Sequence, residues 1–306
     1  MSNNLLPPPP LPIFKHPLWA AQLIKHLHGG NNRDEVLKQL NNLIKQQSSE
    51  AMRINLGFHL WNSSLTTTTL LQEVVAAYAK FEVSTLNMME SLRVCNALTV
   101  WQCIASYPDG RRGLVNARIP HYLLPYLGMS TKVIWSLQFL RLRILEFLAA
   151  LAKFDELHGQ EILHVLLDTN LFSLCLHCIR HDDTQIQKAA TLILMKILMQ
   201  EDGLKYCCAY PDEFQSLIQV LRQLVEETFN FEIPCPQHLK YVIQCYLCLT
   251  RVAWEDGVYE TVGNMFPQQL IGNTFHNIIH KDPEIPNMLN QLVWNLNHRP
   301  PQQLLR

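Results

Sequence analysis

Glycine is scarce, with 11 in 306 residues, roughly half the usual share. That disfavours Gly-rich phosphate loops and glycine-kinked sheets. Neither sign of charge prevails: 25 basic and 26 acidic side chains leave a net charge of −1. No global basic field exists to hold nucleic acid by counterion release, which leaves only local patches. Long apolar runs are missing too. No stretch approaches the roughly 18 residues a membrane helix needs, and Lys196 interrupts even the greasiest, TLILMKILM. The opening MSNNLLPPPPLP has neither the charged start nor the apolar run of a secretory signal. The nine cysteines are scattered through apolar helical stretches and not set in evenly spaced short loops, the pattern of buried free thiols in a reducing compartment. The expectation is a soluble protein of the cytoplasm and nucleus. Sustained apolar–polar alternation is absent, so no strand is expected. GxSxG, HExxH, Walker and Rossmann motifs are absent as well.

What is present is helix. In residues 90–127 Leu92, Cys95, Leu98, Cys103 and Ile104 recur at helical spacing, and Val94, Ala97 and Trp101 widen the apolar band. Such a band belongs to a helix covered on more than one side. Tyr107-Pro108-Asp109-Gly110 breaks the chain, Asp109 can cap a short helix to Arg118, and Ile119-Pro120 breaks it again before HYLLPYL. A long buried helix followed by a short one is an α-solenoid unit, and the rest of the chain repeats it loosely about every 40 residues. The expected helices are 17–28, 34–46, 51–61, 66–80, 136–154, 158–167, 171–180, 183–199, 203–209, 214–228, 238–252, 256–265 and 285–297. Residues 1–16 read as a disordered proline-rich tail. Pro7 to Pro10 and Pro12 favour polyproline II, but no anchoring Arg completes an SH3-type ligand. One domain is expected over 17–298, with a short tail at 299–306.

Two helices carry a second face. On 136–154, Leu137, Leu140, Ile144, Leu148 and Leu151 form one stripe, and Phe139, Arg143, Glu146 and Ala150 another. On 183–199, capped by Asp183 or Thr184, Ile186, Ala190, Ile193 and Ile197 form the core stripe, beside Gln185, Ala189, Leu192 and Lys196. A helix with two such faces is sandwiched or lines a groove.

Candidate chemistry is thin. Cys175 with Cys178, and Cys245 with Cys248, are CxxC pairs of the kind that hold zinc. Both sit within apolar helices, where core packing explains them better. His181-Asp182 resembles the His-Asp pair of helical metal phosphohydrolases, but that site needs further His and Asp ligands, and no second group is evident. A helix end followed by an N-cap is the plainer reading. Arg111, Arg112 and Arg118 lie on or beside one short helix and are candidate phosphate contacts, against the alternative of a solvated face. No metal or other cofactor is expected.

The segments Leu60-Trp61, LLQEVV (70–75), RVCNAL (93–98), QCIASYP (102–108), ARIPHYLLPYL (117–127), FLRL (139–142), KAATLILMKIL (188–198), DGLKY (202–206), HLKYVIQCYLCL (238–249) and NQLVWNL (290–296) together resemble the Rcd-one-like cell-differentiation family. The resemblance runs in register over about residues 17–298 and marks a divergent member. It implies an all-α, armadillo-repeat-like crescent of about six repeats. It also implies a non-catalytic subunit of the CCR-NOT deadenylase complex, acting in mRNA deadenylation, decay and translational repression. The implied partners are the complex's large scaffold subunit and RNA-associated adaptor proteins. Homodimer formation stays open, and no membrane is involved. The alternatives are a diverged armadillo-type interaction module outside the complex and a metal enzyme built on His181-Asp182.

By the same resemblance, the scaffold-facing positions are Asn62, Ser64, Thr68 and Val75, with Ser64 in place of an aromatic and Thr68 in place of Ala. A peptide groove falls on Phe139, Arg143, Glu146, Ala189 and Leu192, where Glu146 replaces Gly and Ala189 replaces Val. Tryptophan-accepting pockets fall on Pro211, Glu213 and Trp254, where the family has Tyr, Arg and Arg. Basic positions fall on Gln237, Gln244 and Cys248, with Lys240 retained as a further candidate phosphate contact. These departures imply a closed groove, weakened tryptophan binding, and weak or no direct binding of nucleic acid.

Overall fold

The computed structural model describes residues 17–28, 32–82, 85–128, 135–229, 235–252, 262–272, 274–279 and 281–298. The proline-rich stretch 1–16, the tail 299–306, Trp254 and most of the expected helix 256–265 lie outside them. Among the described residues every regular element is helical, as the apolar spacing predicts. The chain divides into two compact units, Met1–Tyr122 and Leu123–Arg306.

The first unit holds α1 (Pro17–His28), α2 (Arg33–Lys45), α3 (Glu50–Trp61), α4 (Thr66–Ala76), α5 (Tyr78–Glu82), α6 (Met88–Ser106), α7 (Pro108–Asn116) and a 3-10 turn, Ile119–Tyr122. Its centre is α6, which packs against α2, α3, α4 and α7. Ten of its side chains are buried on several sides, Val94, Leu98, Trp101 and Ile104 among them, which is why its apolar band is so wide. A capping box starts it: the Asn87 side chain accepts from Glu90 N, and the Glu90 carboxylate accepts from Asn87 N, each at 3.0 Å. Tyr107 ends it in an extended conformation, as a residue before proline prefers.

Two expectations change here. Asp109 is not the cap of α7. Tyr107 holds that place and Pro108 is the first helical residue, where its missing N–H costs nothing, while Asp109 accepts from the Tyr107 hydroxyl at 2.6 Å. The expected helix 66–80 stops at Ala76, with Ala77 as its C-cap, and the chain restarts as α5. Close packing of α3 on α7 depends on Gly113, since a Cβ there would come within 2.1 Å of the Trp61 ring.

The second unit holds α8 (Pro125–Gly128), α9 (Trp135–Leu151), α10 (Gly159–Leu167), α11 (Leu171–His181), α12 (Thr184–Leu198), α13 (Glu201–Ala209), α14 (Pro211–Gln223), α15 (Pro236–Val252), α16 (His276–Ile279) and α17 (Glu284–Asn297). Helix α14 begins three residues earlier than expected because Pro211 takes the first helical position, and a π-helical turn, Leu224–Thr228, follows it. The long helices form a ladder: α9 packs on α12, α12 on α15, and α15 on α17. Shorter helices fill the rungs, with α11 against α12 and α14, and α13 against α14. That stacking of like units, each burying its neighbour's apolar stripe, is a solenoid. In α12 Ile186, Ile193, Leu194, Ile197 and Leu198 are each at most 1% exposed, a burial worth roughly 1.5–3 kcal/mol apiece. Asp183 caps this helix, its carboxylate accepting from Gln185 N at 2.9 Å and Ile186 N at 3.1 Å.

Candidate partner-binding surfaces

The first surface lies on α4. Helical spacing turns Leu70 and Val74 inward to full burial and leaves Val75 43% exposed. Thr68 is exposed on the same helix, as are Ser64 and Asn62 before it. Asn62 is the C-cap of α3 and donates from its side-chain amide to Phe58 O at 2.9 Å. Leu65, which sequence reasoning passed over, is 62% exposed and adopts a left-handed conformation with φ 71°. Such a backbone is costly for any residue but glycine. Thr68, Gln72 and Val75 follow a 4-3 spacing and form an outward stripe on α4, with the exposed Leu65 just ahead of it. The buried Glu73 anchors the helix from behind, paired with Arg33 at 3.3 Å and Arg93 at 3.7 Å.

The second surface lies on the adjoining helices α9 and α12. Phe139 is 37% exposed, and Arg143, Glu146, Ala189 and Leu192 are half-buried. The inward stripes expected for both helices are buried throughout. Arg143 Nη1 reaches Glu146 Oε2 at 2.7 Å, and its guanidinium lies 5.6 Å from the Phe139 ring centroid. Lys196 leaves the α12 outer stripe: its Nζ donates to Ala149 O and Ala152 O, each at 3.0 Å, and so satisfies carbonyls at the end of α9.

A third cluster gathers around α13 and α14. Pro211 is exposed at the first position of α14, and Glu213 is half-buried two residues on, within the first turn. The Ser173 hydroxyl donates to Glu213 Oε1. The Tyr206 and Tyr210 rings stand 4.9 Å apart, and Phe172 lies 6.0 Å from Tyr206.

The candidate phosphate contacts do not form one patch. Arg111 is 0% exposed, so it leaves that set: the turn of α7 that carries it faces the core. Arg112 and Arg118 are exposed. Lys240 is engaged within the unit by Asp282 at 3.2 Å and by Glu284, and its charge is offset there. Gln237 is exposed, Gln244 donates toward Cys248 Sγ at 3.7 Å, and Cys248 is buried.

The metal candidates resolve into core and ion pair. Cys175, Cys178, Cys245 and Cys248 are buried free thiols, and burial pushes the Cys178 thiol up to about 11, away from the thiolate a metal needs. Asp182 is spent on Arg141: Oδ2 lies 2.6 Å from Nη2, with the side chains 5% and 1% exposed. Arg141 also donates to Leu127 O at 2.9 Å and to Cys178 Sγ at 3.4 Å. The His181 ring stands 4.7 Å from His177. Among the described residues no three His, Cys, Asp or Glu side chains gather as a metal site, and no single helix is long and apolar enough to cross a membrane.

The model of the cell differentiation family, Rcd1-like, matches residues 23–296. Cell differentiation protein rcd1 of Schizosaccharomyces pombe is 32% identical over 282 residues, covering 91% of this chain and 92% of that protein. Protein CAF40 of Saccharomyces cerevisiae is 32% identical over 279 residues, covering 91% of this chain and 70% of that protein. Among solved structures, one engineered protein aligns with a TM-score of 0.61 at 13% identity over 90% of this chain and 98% of its own. A second engineered protein aligns with a TM-score of 0.50 at 15% identity over 85% and 96%. At such identities these two speak to the helical fold alone.

Proposed function

The chain belongs to the Rcd1-like cell differentiation family, and from that premise we propose that it is a non-catalytic adaptor subunit of the CCR-NOT deadenylase complex. In this reading it docks on the large scaffold subunit and links RNA-associated adaptor proteins to mRNA deadenylation, decay and translational repression, in the cytoplasm and the nucleus.

One observation carries the reading: the outward stripe of α4. Val75 stands 43% exposed on a helix whose Leu70 and Val74 are fully buried. The exposed Asn62, Ser64 and Thr68 extend it toward the start of the helix. An apolar and small-residue face on a helix fixed from behind by core packing is suited to receive a partner helix. The groove face of α9 and α12 supports a more restricted part in recruitment, since the Arg143–Glu146 pair covers it. Co-purification of the tagged full chain from its own cells tests the proposal. Recovery of the scaffold subunit with the wild-type chain, and its loss with Val75→Asp at unchanged helical content, is the expected outcome. A wild-type chain that recovers no other subunit of the complex would overturn it.

A further inference from the structure

Helices α11, α13 and α14 meet at an aromatic ledge that carries a carboxylate. Tyr206 on α13 and Tyr210, the residue between α13 and α14, lie one turn apart. Their ring centroids are 4.9 Å apart and inclined at 52°. Phe172 of α11 backs Tyr206 at 6.0 Å and 59°. Phe172 is only 1% exposed, so it fixes the ledge and does not serve as its surface, whereas Tyr210 is 54% exposed.

Glu213 closes one side. The Ser173 hydroxyl holds its Oε1, and Oε2 has no hydrogen-bond partner among the described residues. The Tyr206 phenol is held above its ordinary pKa by burial first and by the Glu213 charge next, with Tyr210, Cys207 and Asp168 adding to the same effect. The exposed Asp212 adjoins it in sequence. None of Asp168, Asp212 and Glu213 enters an ion pair among the described residues. Glu146 makes the contrast, because its charge is matched by Arg143 at 2.7 Å.

The faces of aromatic rings are the negative ends of their quadrupoles and attract cations. A half-buried carboxylate strengthens that preference, since charge is less screened there than in water. A phosphate would meet repulsion, and an indole would meet no cation on which to stack. Charge complementarity therefore selects the occupant. We propose that Tyr206, Tyr210 and Glu213 form a receptor for one basic side chain, Arg or Lys, of a partner polypeptide. The rings hold the apolar stem and the cation, and Oε2 of Glu213 accepts a hydrogen bond from its head. The receptor goes beyond the adaptor reading and uses no residue of the α4 stripe.

The test uses the full chain and a blocked Gly/Ser peptide carrying a single Arg, with Lys and citrulline counterparts. Titration is followed by the ring resonances of Tyr206 and Tyr210. The Arg and Lys peptides are expected to shift both rings and to saturate, and citrulline, which keeps the shape without the charge, to bind about tenfold more weakly. Glu213→Gln is expected to weaken the Arg peptide by about tenfold with helical content unchanged, and Tyr210→Ala to weaken it by a similar factor. Equal binding of the citrulline peptide, no effect of Glu213→Gln, or no ring shift at millimolar peptide would each overturn the proposal. Scaffold co-purification with Glu213→Gln is expected to equal wild type, so failure of the receptor and failure of the adaptor reading give different results.

Discussion

Arg143 and Glu146 are locked to each other on the half-exposed face of α9, Nη1 to Oε2 at 2.7 Å, with the guanidinium over the Phe139 ring. Side chains about one-third exposed gain little stability from such a pair, roughly 1 kcal/mol or less. Its effect on docking is larger. A helix laid against α9 and α12 must either displace the pair or desolvate it, and both cost free energy that a small residue would not demand.

Glu146→Gly is therefore expected to raise the affinity for an amphipathic helical peptide laid against α9 and α12 by about tenfold, which equals 1.4 kcal/mol. Fluorescence anisotropy with a labelled peptide measures it. The glycine costs about 1 kcal/mol of helix stability, so the comparison is made well below the unfolding transition. Equal affinity for both chains would remove the blocking role.

Val75→Asp is expected to abolish scaffold co-purification while leaving the chain folded. Val75 is exposed in the isolated chain, so the carboxylate is solvated there and becomes an unpaired buried charge only in the complex. Circular dichroism checks the fold, and pull-down checks the binding.

Two neighbouring aspartates are expected to differ sharply. Asp182→Ala leaves Arg141 buried without its counterion, a loss of about 3–5 kcal/mol in urea denaturation. Asp183→Ala removes only the cap of α12, a loss of about 1 kcal/mol. Similar costs for the two would contradict the assignment of one to a buried pair and the other to a cap.

His238 is 2% exposed, packed on the Phe229 ring and 3.3 Å from the Thr191 hydroxyl. Burial first, and the Lys188 charge next, lower its pKa from 6.5 to about 4. In that window the unfolded chain binds a proton that the folded chain refuses, so stability rises with pH. The contribution is complete above 6.5 and is lost as pH falls toward 4, an effect on the order of 3 kcal/mol. Denaturation at pH 7 and pH 4.5, with His238→Gln as reference, measures it. The variant is expected to lose the His238 part of the pH slope.

Oligonucleotide binding is expected to be weak and indifferent to Lys240→Ala, because Asp282 and Glu284 already engage that ammonium. A homopolymeric oligonucleotide titrated at moderate salt checks it. A several-fold loss on substitution would show that Lys240 exchanges its carboxylates for phosphate.

Helices were legible wherever the apolar spacing was strong. The stripes of α9 and α12 and the cap at Asp183 appear where the residues place them. The ends were less legible. Proline can begin a helix as readily as it breaks one, so Pro108 and Pro211 moved two boundaries. Surface chemistry was least legible. Arg111 and Arg112 are neighbours in the chain, yet one is buried and the other exposed, because successive helical positions point about 100° apart.

By itself the sequence determined the class of fold and the family, since both are written in the spacing of apolar residues and in short ordered segments that survive substitution. Only the tertiary structure decided which charges are available. Lys196, Lys240 and Asp182 are ionisable groups of equal promise in the chain, and each is engaged by a partner 41 to 47 positions away. Glu213, held only by the Ser173 hydroxyl, is not in an ion pair among the described residues. Charge pairing acts over a few ångströms in space, and residues distant in the chain become neighbours in space only through the packing of one helix on the next.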